Sequence, residues 1–550
     1  MKAKQFSLVL HSHIPYVLAH GSWPHGMDWL FEAAAESYLP LLEVFERLGD
    51  EGIAPRVNIS FTPVLMEQLK SPNFAAGLEE YLRMKVEIAR RDRSDFEKTG
   101  LRPLLPLTQY WESWYSRLLE SFTGKQGRDI IGGFRKLQDD GQLEVLTSAA
   151  THGYFPLLSE DDSIRWQARQ GRFVYEKYFG RKPTGFWLPE CAYRPRYAWK
   201  PPLGGGEAVD RAGVDEILGE EGLSCFFVDT HLLSGGEAKG VYLDRFPALK
   251  LLWEKFKKEY HPGKETAKTP YVPYLAYPSK VPFLVRDEKS GTQVWSGKTG
   301  YPGDGGYLEF HKKHFPGGMR YWRITAADAD LGDKQPYDTE KVRERLEENA
   351  GHFVASLEES LKDREEGVVV ALYDTELFGH WWFEGPEWLY LVIKKLRMTE
   401  VAPQTVAGCL ESLRPHTLIS LPEGSWGKGG FHWIWLNDDT SWIWEKIYAL
   451  EKEATRLRPL PPRADARVVK QFSREKFLLE SSDWPFLIST WTARDYSENR
   501  AAEHFERART LLDWIKSGAP LSPGQRKLLE IWEEEDQLFS EVVIPDGRII

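Results

Sequence analysis

Short hydrophobic runs recur along the first 375 residues, and amphipathic stretches separate most of them. Runs of four to eight residues rich in Val, Ile, Phe and Trp are typical of buried strands, and the intervening segments have the period of helices. The seven runs are Phe6–Leu10, Arg56–Ser60, Leu143–Leu146, Thr184–Leu188, Cys225–Val228, Thr292–Trp295 and Gly367–Tyr373. Alternating strands and helices predict a parallel sheet covered on both faces. Seven strands fit a closed α/β barrel better than an open sheet.

Three regions depart from this alternation. Residues from about 75 to 135 have a helical period and predict a helical insertion. Residues from about 229 to 320 are rich in Gly and Pro, which predicts long loops over the strand ends. After residue 400 the strand pattern fades and helical periods dominate. The predicted organisation is therefore a catalytic barrel over residues 1–400 and a helical domain over residues 401–550.

Polar residues follow five of the seven predicted strands. They are His11 and His13 after the first strand, His152 after the third, Glu190 after the fourth, Asp229 after the fifth and Asp374 after the seventh. In α/β barrels the carboxyl ends of the strands carry the active site. The pattern therefore indicates an enzyme.

Glu190 and Asp374 form one candidate catalytic pair. Each comes directly after a buried-looking strand and is flanked by aromatic residues, in FWLPECAYRPRY and VALYDTELFGHWWFEGPEW. Glycosyl transfer with retention needs one carboxylate as nucleophile and one carboxylic acid as general acid and base. An apolar surround raises the pKa of a carboxyl group and keeps it protonated near neutral pH. The alternative is that the two carboxylates are helix caps or ion-pair partners.

The histidines suggest a second hypothesis, a metal site. His11 and His13 point the same way along a strand, and with His152 and either Asp229 or Asp374 they offer imidazole and carboxylate ligands to a divalent ion. Such a site would suit a deacetylase-type hydrolase. The alternative is that these histidines bind sugar hydroxyls or position the carboxylates.

Aromatic residues are abundant, with 22 Trp, 23 Tyr and 28 Phe. Many tryptophans stand beside Gly, Pro, Asp or His, which suits indole rings that stack on the apolar faces of sugars. There are two alternatives: the aromatic residues build a large core, or the protein binds glycans without catalysing a reaction. The polar strand ends argue against the latter.

Charge and composition exclude several other classes. With 82 acidic against 71 basic residues, the net charge of −11 disfavours binding to nucleic acid or anionic membranes. No apolar stretch approaches the ~18 residues of a membrane span, and the run Phe6–Leu10 is too short for a signal peptide. The three cysteines lie far apart, which disfavours disulfides and cysteine–zinc sites. No glycine-rich nucleotide motif follows a strand. We therefore expect a cytoplasmic location.

Several separated motifs resemble those of glycoside hydrolase family 57. They are LVLHSHIPYV with WPHGMDWLFEA, THGYFPLL, GFWLPECAYRP, YDTELFGHWWFEGPEWL and the late SSDWPF, and they extend over nearly the whole chain. The resemblance implies a retaining enzyme on a (β/α)7 barrel with a helical insertion and a C-terminal all-helical domain. Within the family, the sequence is most similar to the 1,4-α-glucan branching enzymes.

The resemblance also implies roles for individual residues. Glu190 corresponds to the nucleophile and Asp374 to the general acid and base. His11, His13 and His152 then line the donor sugar site rather than a metal. The aromatic lining of the substrate groove is expected at Trp29, Trp295, Trp426 and Trp435, with Asp483 and Trp484 closing it from the helical domain. Separately, the Gly235-Gly236 pair leads to the hypothesis that residues 231–242 form a lid that excludes water, with Tyr242 reaching the intermediate.

The activity expected from this resemblance is transfer of an α-1,4-glucan chain to a glucan 6-hydroxyl, with no cofactor and no metal. Donor and acceptor would both be α-1,4-glucans, as in glycogen-type synthesis. The lysine-rich segment at about 244–277 is longer than expected for a branching enzyme and keeps open an α-amylase-like hydrolase or a 4-α-glucanotransferase. A metal-dependent polysaccharide deacetylase is the more distant alternative. The sequence identifies no protein partner.

Overall fold

A computed structural model describes residues 3–235, 246–261, 264, 266–457 and 459–542 of the chain. The strands are β1 (Lys4–Ser12), β2 (Asn58–Phe61), β3 (Glu144–Ser148), β4 (Phe186–Trp187), β5 (Tyr197–Trp199), β6 (Val209–Arg211), β7 (Phe226–Val228), β8 (Tyr274–Ala276), β9 (Pro282–Val285), β10 (Gly367–Asp374), β11 (Val401–Pro403) and β12 (Leu418–Ile419).

The α-helices before β7 are α1 (Met27–Ala33), α2 (Leu39–Asp50), α3 (Pro63–Leu69), α4 (Pro72–Thr99), α5 (Leu105–Glu120), α6 (Ile130–Asp139), α7 (Asp161–Phe179) and α8 (Val214–Glu220). Those after β7 are α9 (Thr230–Ser234), α10 (Pro247–Phe256), α11 (Glu288–Trp295), α12 (Thr339–Leu361), α13 (Gly385–Leu396), α14 (Val406–Leu413), α15 (Ser441–Arg456), α16 (Ala466–Leu479), α17 (Asp483–Thr490), α18 (Arg494–Ser517) and α19 (Pro523–Glu535).

Seven parallel strands form a curled sheet in the order β10-β1-β2-β3-β4-β7-β9. At the seam between the two outer strands, the backbone N–H of Asp287 donates to the carbonyl of Val370 over 2.8 Å. Helices cover the outside, so β1 and β10 are buried along almost their whole length. The predicted seven-stranded α/β fold is confirmed, and it places the carboxyl ends of all seven strands at one end of the barrel.

The sixth predicted strand is wrong. Thr292–Trp295 is the end of helix α11, and the strand at that place in the sheet is β9. The β-branched and aromatic residues of this run favour a strand locally. The carboxylate of Asp287, however, accepts from the Ser290 N–H and caps a helix that buries Val294 and Trp295. Capping and burial therefore outweigh the local preference.

The region predicted as long loops, about 229–320, is more ordered than expected. Within its described part lie helices α9, α10 and α11 and the pair β8–β9. The described part of the lysine-rich segment near 244–277 includes α10, whose Pro247 opens the helix. Glycines and prolines therefore mark the ends of short elements here rather than one continuous loop.

The sheet also extends past residue 400, where only helices were predicted. Strand β11 pairs with β1, and β12 pairs with β8. Both strands are two or three residues long, so no period reveals them in the sequence. The described C-terminal region also contains helices α14 to α19, in line with the helical period after residue 400. No described helix is long and apolar enough to cross a membrane.

Candidate active site

Glu190 lies in a tight turn directly after β4. Its backbone has φ 60° and ψ 23°, and the next residue, Cys191, also has a positive φ of 47°. Non-glycine residues in this left-handed region are strained and persist only where the surrounding structure holds them. The turn aims the carboxylate of Glu190 into the interior of the site, where the side chain is buried.

Two donors from distant parts of the chain hold the Glu190 carboxylate. The indole N–H of Trp426 donates to Oε2 over 2.9 Å, and the hydroxyl of Ser482 donates to Oε1 over 3.3 Å. The backbone N–H of Trp426 also donates to the Glu190 carbonyl over 3.1 Å. Both side-chain bonds stabilise the ionised form and fix the direction of the carboxylate. A nucleophilic carboxylate needs both a stabilised charge and a fixed direction.

Asp374 is the last residue of β10 and lies opposite His11 in the register of the sheet. Burial, together with the negative charges of Asp374 and Asp483, raises the pKa of Glu190 to about 8 against the opposing hydrogen bonds. With this pKa, Glu190 holds a proton near neutral pH, and that proton has to leave the carboxyl group before Glu190 can act as a nucleophile.

A chain of neutral imidazoles extends from Glu190 to β1. Ser482 accepts from Nδ1 of His152 over 2.7 Å, and Nε2 of His152 lies 3.0 Å from Nε2 of His11. Since the single hydroxyl proton of Ser482 goes to Glu190, His152 donates from Nδ1 and accepts from His11 at Nε2. Burial, with the charges of neighbouring histidines, holds the pKa of both His11 and His152 well below the ordinary value.

His13 is paired with a carboxylate from the C-terminal region. Its Nε2 lies 2.8 Å from Oδ2 of Asp483, and its Nδ1 lies 3.0 Å from the Thr62 hydroxyl. Burial raises the pKa of Asp483, but the charge and hydrogen bond of His13 outweigh it and hold that pKa below its ordinary value. The predicted residues Glu190, His11, His13, His152 and Asp483 thus belong to one cluster.

His13, His152 and Asp483 are also the residues here that could hold a metal. One ligand atom from each lies within 4.8 Å of the others. Both nitrogens of both imidazoles already contact a partner, however: Thr62 and Asp483 for His13, Ser482 and His11 for His152. A bound ion would have to replace these hydrogen bonds, so the arrangement does not favour a metal site.

Sequence reasoning missed three residues of the cluster: Glu376, Ser482 and Trp187. The Glu376 carboxylate accepts from the His13 backbone N–H over 3.1 Å and from the Tyr38 hydroxyl, and burial raises its pKa to about 8. Trp187 stacks on His11 with ring centres 4.5 Å apart. Glu376 and Ser482 lie beside predicted residues in YDTE and SSDW, and this adjacency was the signal available.

The predicted aromatic residues occupy different environments. Trp295 and Trp426 meet edge to face at 5.9 Å, beside Glu190. Trp435 and Trp484 are fully buried; Trp435 stacks on Tyr154, and the indole N–H of Trp484 donates to the Leu478 carbonyl. The half-buried Trp29 contacts His25 and Tyr496. Tyr242, with most of the predicted lid, lies outside the described residues.

Asp229 has a structural partner. Its carboxylate accepts two hydrogen bonds from Arg286, at 2.7 and 3.2 Å, and both side chains are buried. The guanidinium of Arg286 in turn lies 5.6 Å from the centre of the Trp426 ring. The ion pair therefore supports the indole that binds Glu190, and Asp229 is not placed as a metal ligand beside the histidines.

We expect Asp229→Asn to lower the free energy of unfolding by about 3–5 kcal/mol, because it leaves a guanidinium buried without its counter-charge. Guanidinium chloride denaturation measures the change. The double variant Asp229→Leu with Arg286→Met is the control, since removal of both charges restores most of the stability. A loss below about 1 kcal/mol in the single variant would show that the pair contributes little.

A groove of about 1490 Å³ is lined by residues from the 246–255, 297–334, 437–439 and 489–492 segments and by Trp381. Its lining includes Phe310, Trp381 and Trp491, and Phe310 stacks on Trp381 at 4.4 Å. The backbone N–H of Trp381 donates to the Glu376 carbonyl over 3.1 Å, and helix α17 runs from Asp483 to the groove wall at its C-terminal end. The groove wall is therefore partly aromatic and is connected to the cluster through Trp381 and helix α17.

The chain matches two family models, "Glycosyl hydrolase family 57" over residues 7–422 and "1,4-alpha-glucan branching enzyme, C-terminal" over residues 446–545. It is 42% identical to the 1,4-alpha-glucan branching enzyme of Thermococcus kodakarensis over 98% of this chain and 78% of that protein. The crystal structure of that branching enzyme has a TM-score of 0.88 at 41% identity, covering 99% of this chain and 96% of the other.

Two further solved structures are similar. The branching enzyme from Pyrococcus horikoshii has a TM-score of 0.87 at 38% identity and covers 100% of this chain and 98% of that chain. An alpha-amylase from Thermotoga maritima has a TM-score of 0.77 at 28% identity, with 98% of each chain covered. The match to the family model extends over far more than half of the chain, and Glu190 and Asp374 lie within it. The chain therefore belongs to glycosyl hydrolase family 57.

Proposed function

We propose that the protein is a retaining 1,4-α-glucan branching enzyme in which Glu190 is the nucleophile and Asp374 the general acid and base. The observation that supports these roles is the pair itself, in which Trp426 and Ser482 orient Glu190 while burial, together with the charge of Asp374, raises the pKa of Glu190. A retaining mechanism needs one ionised and one protonated carboxyl group at the same time. Glycogen-type synthesis in the cytoplasm is part of this proposal.

In the first step, the Glu190 carboxylate attacks the anomeric carbon of an internal α-1,4 bond. The bond to the leaving oxygen breaks, and the proton of Asp374 goes to that oxygen. The products are a glucosyl ester of Glu190 and a shortened chain with a free 4-hydroxyl. His11, His13, His152 and Asp483 form a hydrogen-bonded network beside Glu190, and this network lines the place where the sugar is held.

In the second step, Asp374 removes the proton from a glucan 6-hydroxyl while that oxygen attacks the anomeric carbon. The ester bond to Glu190 breaks, its carboxylate is regenerated, and an α-1,6 branch forms. Water in place of the hydroxyl gives hydrolysis instead. Transfer therefore depends on excluding water and holding the acceptor chain in position. The aromatic groove with Phe310, Trp381 and Trp491 is the surface suited to hold a glucan chain.

The pH dependence follows from the carboxyl pair. With a pKa of about 8 at Glu190 in the presence of charged Asp374, the last proton leaves the pair above that pH. Asp374 then has no proton for the leaving oxygen, so kcat/KM is expected to fall as pH rises through about 8. Initial rates measured from about pH 5 to pH 10 check this. A kcat/KM that still rises above about pH 9 would contradict the shared-proton arrangement.

The function is tested by incubating the purified protein with amylose and following α-1,6 linkages by proton NMR together with reducing ends. New α-1,6 signal with few reducing ends is the expected result. Reducing ends without α-1,6 signal would make the protein a hydrolase of the same family, the activity named for the Thermotoga maritima relative. Neither product, with activity on acetylated polysaccharide that EDTA abolishes, would instead favour a deacetylase with a metal at His13, His152 and Asp483.

A further inference from the structure

A second groove, of about 850 Å³, lies among helices α2, α5, α12 and α13. None of the described residues that surround Glu190 lines it. Three aromatic side chains, Tyr110, Trp114 and Phe383, form part of its wall and are each partly exposed. Phe383 packs against Trp114 with ring centres 5.5 Å apart and against Tyr110 at 6.4 Å. The groove therefore offers a preformed, partly exposed aromatic surface of the kind that stacks on sugar rings.

A buried carboxyl group also lines this groove. Oε1 of Glu384 accepts from the Leu308 N–H over 2.9 Å and from the Tyr337 hydroxyl over 2.6 Å, whereas Oε2 is buried and has no hydrogen-bond partner among the described residues. Glu384 is only 4% exposed, and burial raises its pKa to about 7. A buried polar atom without a partner is costly. A ligand hydroxyl in the groove would satisfy it.

The remaining charges of the lining are mostly paired with one another. Arg47 donates to Glu387 over 2.6 Å, Lys125 lies 2.9 Å from Glu46, and Arg117 pairs with Glu43. Ion pairs of this kind offer both donors and acceptors to a neutral, hydroxyl-rich ligand. Asp50 and Glu120 also line the groove and give its lining an excess of acidic residues, which repels an anionic ligand. The groove therefore suits a neutral carbohydrate better than an anionic one.

One residue connects this groove to the active site. Glu36, in the lining, accepts from Nδ1 of His380 over 2.7 Å and pairs with Arg320 at 3.0 Å. His380 belongs to the segment that begins at Asp374. The carbonyl of Glu36 also lies so close to Gly379 that no Cβ would fit there. Glu36 and His380 thus connect the second groove to the loop that begins at Asp374, the proposed general acid and base.

From these observations we propose that the groove among helices α2, α5, α12 and α13 is a second α-glucan-binding site, which holds an arm of the polymer outside the catalytic groove. The ligand class rests on the proposed function, since an α-glucan is the substrate that this activity requires. Stacking on Tyr110 and Trp114 and a hydroxyl hydrogen bond to Glu384 are the contacts that would hold it. Binding there raises the local concentration of polymer at the active site.

Gly124 provides a way to block the groove without disturbing the core. It lines the groove, and a Cβ built on it meets nothing within 4 Å. Gly124→Leu therefore adds a side chain in open space, whereas Trp114→Ala removes part of the aromatic wall. Tyr277→Ala is the matched control, because Tyr277 is a 60% exposed aromatic residue that does not line this groove.

Binding is measured by native electrophoresis through gels with and without glycogen, in a Glu190→Gln background that prevents turnover. We expect Trp114→Ala and Gly124→Leu each to weaken glycogen affinity about three- to tenfold, and Tyr277→Ala to leave it unchanged. In the active protein, the ratio of KM for glycogen to KM for a short malto-oligosaccharide rises by a similar factor in the first two variants only. Unchanged affinity and an unchanged ratio in both variants would overturn the second site.

The two proposals fail in different ways. If the protein shows no branching, but its retardation by glycogen still depends on Trp114 and Gly124, the second site stands and the proposed activity is wrong. If branching occurs and neither variant changes glycogen retardation, the activity stands and the second site is wrong. Retardation by a charged polysaccharide but not by glycogen would reject a neutral glucan as the ligand.

Discussion

Glu190→Gln is expected to lower kcat for glucan transfer by about 10³-fold or more, because an amide does not form the glucosyl ester. The amide is nearly isosteric with the carboxyl group, so the site should stay folded. The variant also removes the charge whose desolvation raises the pKa of Glu190, and its melting temperature should therefore stay equal or rise. Amylose branching followed by NMR and thermal unfolding followed by circular dichroism measure the two effects.

Glu144→Gln is the matched control for this prediction. Glu144 is also buried, and burial likewise raises its pKa, but it lies at the first residue of β3, at the opposite end of the strand from the active site. We expect its kcat to remain within about twofold of that of the unmodified protein. Equal losses in the two variants would mean that buried carboxylates matter here only for folding, and Glu190 would lose its assigned role.

Asp374→Asn is expected to lower kcat on amylose by about 10²–10⁴-fold, since the leaving glucan oxygen no longer receives a proton. The decisive comparison uses a donor whose leaving group needs no proton, such as α-maltosyl fluoride. With this donor the first step should proceed in Asp374→Asn and fail in Glu190→Gln. The maltosyl ester of Glu190 should then accumulate in Asp374→Asn and be visible by mass spectrometry of the intact protein.

The opposite pattern would exchange the two roles. If Glu190→Gln, and not Asp374→Asn, releases fluoride and accumulates an ester, Asp374 is the nucleophile. Addition of azide is a second readout, because an anionic nucleophile needs no general base. It should restore turnover of the ester in Asp374→Asn and have no effect in Glu190→Gln.

Six of the seven parallel strands were predictable from sequence, because each combines a compact apolar run with flanking turn residues. The sixth was missed because Pro282–Val285 is short and is followed by a stronger-looking run, Thr292–Trp295, that forms a helix. The residue that indicates a helix here is its cap, Asp287, and a search for strand-like runs does not take capping residues into account. Strands β11 and β12 are too short for any period and form through their partners in the sheet.

The candidate site was predictable only where it follows the strands. Glu190, Asp374, His11 and His13 come directly after strand-like runs, so barrel topology predicts that they meet. The donors Trp426 and Ser482 lie 236 and 292 residues away from Glu190 in the chain. Contacts across such separations depend on how the C-terminal region docks on the barrel, and no local pattern reports this.

The same separation has a consequence for when the protein becomes active. During synthesis the strands through β10 are complete before Trp426, Ser482 and Asp483 leave the ribosome, so an emerging barrel holds Glu190 without its two side-chain donors. Competence for catalysis is then acquired only when the last third of the chain has docked. If heating reverses that docking, the enzyme loses its activity while the sheet is still intact. Inactivation should therefore precede the loss of β-structure, and it should be reversible over that interval.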